Sequence, residues 1–168
     1  MKPKIRAKLH EIVEELHKIS TGFFAEHGSQ PPILFVLKGD KLPTERQVVD
    51  LQDYIEDKEL LASMIQAYQN QDGVIGTIFM SEAWVIKVDT KSEEGKRLIR
   101  GEAPRIQPSE SSEREEVLFY MAETLGGNLA AQAPIIRRGK KATLGKLEFS
   151  PGGEDGEFEG RLIGGTFR

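Results

Sequence analysis

Three polar residues on one predicted helix, His10, Glu14 and His17, are of the types that ligate zinc and similar ions. At about 100° per residue they fall within about 60° of one another around the helix, so all three can face one cation. Their order differs from that of the helical metalloproteases, whose histidines are four apart with a catalytic glutamate beside the first. The trio also lies opposite the apolar stripe of its own helix, where no outer shell would enclose a metal. The expectation is a solvated polar face, with neither metal nor cofactor.

Glu82 raises a sharper question. It stands in TIFMSEAWVIKV (77–88), two residues before the only tryptophan. In an unbroken strand Ile78, Met80, Glu82, Trp84, Ile86 and Val88 share one face, which puts the carboxylate among large apolar neighbours. Burying it alone is very costly. A bulge near Ser81–Glu82, a partly uncovered face, or a buried cation would each relieve that cost. Arg114, Arg137 and Arg138 are the candidate cations, each offering a two-pronged guanidinium, with Trp84 screening the pair. A structural ion pair is preferred over catalysis, because no nucleophile accompanies Glu82.

Two other chemistries remain as alternatives. Glu82 or Asp40 with carboxylates of ESSEREE (110–116) would suit a magnesium-dependent hydrolase or nuclease. With 27 acidic residues in the chain, however, such proximity arises easily by chance. Arg137, Arg138, Lys140 and Lys141 surround a tight turn and would suit phosphates. They would equally serve as a charged hairpin end that keeps a sheet soluble. Neither a P-loop, a GxGxxG nor a GxSxG elbow occurs.

The elements that must position these residues are legible from their periods. Ile5, Leu9, Ile12, Val13, Leu16 and Ile19 predict a helix over 3–19, ended by Thr21–Gly22, with Phe23–Phe24 extending the stripe. HGSQPP (27–32) is a loop. Residues 33–37 predict a strand, with 47–51 as its hairpin partner. A second helix spans about 54–70, opened by a capping box of Asp53 and Glu56. Strands follow at 74–88 (bent at Gly76), 115–124, 129–138 and 142–149, with another near 158–163. Residues 89–112 form a long connection without sustained period.

The fold class is therefore α+β: an antiparallel meander of about five to seven strands, with two main helices packed on one face. One domain covers 1–168, an N-terminal helix and loop (1–30) followed by the α+β body (31–168). At 168 residues, 38% hydrophobic and 30% charged, the chain can bury a real core. It has no cysteine, no apolar run approaching the roughly 20 residues that span a bilayer and no signal-peptide core, so a cytoplasmic protein with no membrane role is expected. A net charge of −4 disfavours nonspecific nucleic-acid binding.

The combination of SEAW (81–84) and PSESSEREEVL (108–118) resembles a pattern among uncharacterised small proteins of bacteria and their phages. The resemblance spans residues 57–138 and implies a similar fold, without a known activity or catalytic residue. The expected function is that of an interaction or accessory protein of phage or mobile-element origin. It would bind another protein or itself, as a homodimer, rather than act as an enzyme.

Overall fold

The computed structural model describes residues 1–85 and 114–150, with residues 91–93, 96, 97 and 100 between them. The end of the Glu82 strand at 86–88, the strand expected near 158–163 and most of the 89–112 connection lie outside the described residues.

Helix α1 (Pro3–His27) begins with proline in its first turn, where the missing N–H costs no hydrogen bond. It closes on Gly28, whose φ of 72° is the left-handed cap that glycine adopts without strain. Thr21–Gly22 does not end it. Both residues are exposed, and the Thr21 hydroxyl donates to the His17 carbonyl at 2.8 Å, so the helix runs on. The buried stripe is Leu9, Ile12, Val13, Leu16, Ser20 and Phe24, while Ile19 is exposed.

Strands β1 (Ile33–Gly39) and β2 (Pro43–Asp50) form the first hairpin. After a 3-10 turn at Gln52–Tyr54, α2 (Lys58–Gln69) carries the chain back to the sheet. Its cap is Asp57, whose carboxylate accepts the Leu60 N–H at 3.0 Å; Asp53, expected to cap, sits in the 3-10 turn instead. Then come β3 (Val74–Val85), β4 (Glu115–Thr124), β5 (Gly127–Arg138), β6 (Lys141–Leu144) and β7 (Glu148–Phe149).

Among the described residues all pairings are antiparallel, in the order β2-β1-β3-β4-β5-β6, with β7 also on β5. This is the α+β class expected. The β1–β3 register shifts where Leu37 and Lys38 face Gly76 and Val74, an irregularity beside the glycine at which a bend was anticipated. A Cβ at Gly76 would lie 2.9 Å from the Glu123 carbonyl oxygen, which excludes larger residues.

The longer helix, α1, packs its stripe on Phe35, Leu37, Ile78, Met80, Leu118 and Tyr120. The shorter, α2, packs Leu61 and Ile65 on Leu34, Val36 and Phe79. These alternate along β1 and β3 with the first set, so α2 adds a smaller layer on the other side of those strands. Gln69 fixes it there, donating to Thr77 Oγ1 at 2.9 Å and to Glu123 Oε2 at 2.8 Å.

The strand expected at 142–149 is split. Pro134 on β5 has no N–H for the ladder, and β6 and β7 pair with β5 on either side of it. Between them the Gly145 N–H bonds the Pro134 carbonyl at 2.8 Å. Among the described residues no helix is long and apolar enough to cross a membrane.

Candidate functional site

Glu82, Trp84, Arg114 and Arg137 come together at one end of the sheet, beside the C-terminus of α1. The β3–β4 pairing runs without a break from Gly76↔Thr124 to Val85↔Glu115, so no bulge turns Glu82 away. The other two forms of relief both operate. Glu82 keeps 30% of its side chain exposed, and it meets a cation.

That cation is Arg137. Its Nε and Nη2 donate to the Glu116 carboxylate at 2.8 and 2.5 Å, the two-pronged geometry of a strong pair. Its Nη1 donates to the Gly28 carbonyl at 3.0 Å, tying the capping residue of α1 to the sheet. Glu82 is the lesser partner: its Oε1 lies 3.6 Å from Nη2, is buried, and has no hydrogen bond. Burial raises the Glu82 pKa above the usual carboxylate range, opposed by the Gln30 main-chain hydrogen bond and the Arg137 charge. Proximity to a guanidinium would suggest the reverse. Burial prevails because the prongs are spent on Glu116.

Trp84 does not screen the pair. It is 42% exposed, with the Arg114 guanidinium 4.3 Å from its ring centroid in a cation–π contact. Arg138, Lys140 and Lys141 stay apart at the exposed β5–β6 turn. Arg137 thus leaves the basic tip it belongs to in sequence. Changing Arg138, Lys140 and Lys141 together to Gln should leave the melting temperature within about 2 °C of wild type, since exposed charges contribute little. A salt-sensitive affinity for DNA or RNA that disappears in that variant would instead make the tip a functional surface.

The helix trio is the solvated face expected only at Glu14, which is exposed; His10 and His17 are partly buried. His10 stacks on Phe149 at a centroid distance of 3.9 Å, and His17 Nδ1 lies 3.3 Å from the Tyr120 hydroxyl. With Ser20 and Phe24 in the stripe, His17 borders the buried side rather than opposing it. Among the described residues no three His, Asp or Glu side chains converge as a metal site. A chain of polar groups runs out from the core instead. Tyr120 meets His17, and the Gly145 main chain accepts from the His17 ring. Both contacts of His17 are satisfied when the neutral ring accepts the Tyr120 proton at Nδ1 and carries its own proton at Nε2.

Burial lowers the pKa of both His10 and His17 from 6.5. In the window below 6.5 the unfolded chain therefore binds more protons than the folded one, so stability is lost as pH falls. Glu82 acts with the opposite sign, since its raised pKa favours the fold as pH drops toward 4.5. The melting temperature is expected to fall from pH 7 to pH 5.5, and His17→Gln should flatten the slope. A wild-type slope that His17→Gln leaves unaltered would show that the ring is not held neutral.

Sequence reasoning named the three arginines and Glu82, and reached Glu116 only as one of the ESSEREE carboxylates of a magnesium site; it did not single out Gly28, Gln30, Ser20 or Tyr120. Glu116 carried a signal, being two residues from Arg114 and at the mouth of a central strand. The two main-chain partners carried none. Comparisons with protein-family models, with curated proteins and with solved structures each find no match to this chain.

Proposed function

We propose that the chain is an interaction or accessory protein that binds another protein, or a second copy of itself, through the Trp84 end of its sheet. One observation carries the reading: an exposed tryptophan, flat beneath an arginine, on a strand paired with the one that Arg137 clamps at Glu116. Tryptophan and arginine are the residue types most enriched at the energetic centres of protein interfaces. The bracing supports it further, because a surface already ordered gives up less entropy on binding. The phage or mobile-element origin rests on the SEAW and PSESSEREEVL resemblance alone. The hydrolase or nuclease alternative needs Glu82 free to hold a metal cation, whereas Glu82 and Glu116 already face a guanidinium.

A photoreactive phenylalanine derivative at position 84 tests this. The expected product is one defined adduct, of twice the chain mass in purified protein or with one partner in cell extract. The same probe at Leu125, exposed at the opposite end of the sheet, should give none. No adduct at 84, or equal labelling at both positions, would overturn the reading.

A further inference from the structure

A second feature lies well away from Trp84, where α1 faces the segment that Pro134 and Gly145 push off the β5 ladder. A cleft of about 410 Å³ opens there, lined by Glu14, His17, Lys18, Lys146, Leu147 and Phe149. Its size falls in the lower part of the range of about 300–1,000 Å³ typical of small-molecule sites. Three properties define what would fit.

The first is charge. Two ammonium groups and one carboxylate line the cleft, a positive balance in a chain of net charge −4. Neither Lys18 nor Lys146 has an ion-pair partner among the described residues. The second is the apolar wall. Leu147 and Phe149 are only partly buried, although both pack against the main core. The third is rigidity. His17 is held by Tyr120 and Gly145, and the stack of His10 on Phe149 fixes the aromatic ring. A pre-ordered wall lowers the entropic cost of binding.

We propose that this cleft binds a small organic anion, a carboxylate on a flat apolar body, with the charge between Lys18 and Lys146 and the body on Leu147 and Phe149. Glu14 then sets a limit on the ligand, because its charge repels an anion and disfavours a second acidic group. Recognition combines charge-assisted hydrogen bonds with apolar contact, so neither half of the ligand should suffice.

The test is calorimetric titration of the purified chain with 2-naphthoate, accompanied by amide chemical-shift mapping. Saturable binding at one site per chain is expected, with shifts centred on His17, Lys146 and Leu147. Naphthalene-2-methanol, lacking the charge, and acetate, lacking the body, should each bind at least about tenfold more weakly. Lys18→Gln and Lys146→Gln should each weaken naphthoate binding about fivefold, and Glu14→Gln should strengthen it about twofold. Lys140→Gln, at the distant basic turn, controls for overall charge and should change nothing. These lysines are exposed, so the variants are expected to fold, and melting curves verify it. The proposal fails if no saturable binding occurs at millimolar naphthoate, or if the neutral alcohol binds equally well. It fails equally if Lys140→Gln matches Lys146→Gln, or if the shifts map elsewhere.

Discussion

Replacing Arg137 with alanine is expected to lower stability by about 2 kcal/mol, between the values for exposed and for buried ion pairs. For a chain of this size that is about 4–8 °C in melting temperature. The intermediate figure follows from exposure: the Arg137 side chain is 44% exposed, but Glu116 is only 18% exposed. Alanine at 137 leaves two carboxylates facing each other without a cation, and the Gly28 carbonyl without its donor. The ranking of the partners is more diagnostic. Glu116→Gln should cost more than Glu82→Gln, because Glu116 takes both prongs and Glu82 takes none. Glu82→Gln also removes a carboxylate that burial disfavours, so its effect should lie within about 0.5 kcal/mol of zero. Differential scanning calorimetry at pH 7 checks the order. If Glu82→Gln were the costliest of the three, Glu82 would be the principal partner and the clamp would be misassigned.

The second large effect is expected at Gly145. A Cβ there would stand 2.6 Å from Pro134 Cγ and 3.2 Å from its Cδ, atoms of a ring that cannot swing aside. Gly145→Ala should therefore cost about 2 kcal/mol, in the range of overpacking strain. It also displaces the segment that walls the cleft and accepts from His17. The double variant Pro134→Ala with Gly145→Ala should recover part of the loss, because the clash is pairwise. Melting curves of the two single variants and the double settle it, and strict additivity would place the strain elsewhere.

How far the sequence could be read depended on where each signal lay. Strand β4 was bounded correctly at 115–124 because both its faces are apolar from Val117 to Ala122, leaving no competing period. The site was half legible. A carboxylate in an apolar strand demands relief, and that demand pointed to three arginines. Choosing Arg137 among them required the β4–β5 register and the end of α1, both tertiary. The helix trio was misread for a local reason. Counting only large apolar residues put Ile19 in the stripe and left Ser20 out. With Ser20 buried against Met80, its hydroxyl donating to the sulfur at 3.3 Å, the stripe rotates and His17 reaches its border. The exposure of Trp84 was hidden because period 2 assigns a face but not how far a helix covers it.

The central claim is that the Arg137 clamp is structural and the Trp84 surface above it does the binding. Trp84→Ala separates the two most directly, with melting temperature and partner association measured on the same sample. The partner is whichever chain the probe at position 84 captures. The expected melting temperature is within about 4 °C of wild type, since the Arg114 contact is exposed and is worth about 1 kcal/mol at most. Association by sedimentation velocity should weaken at least tenfold, as for a tryptophan at the centre of an interface. Association unchanged in Trp84→Ala, with a melting temperature well below wild type, would contradict the account and make Trp84 part of the scaffold.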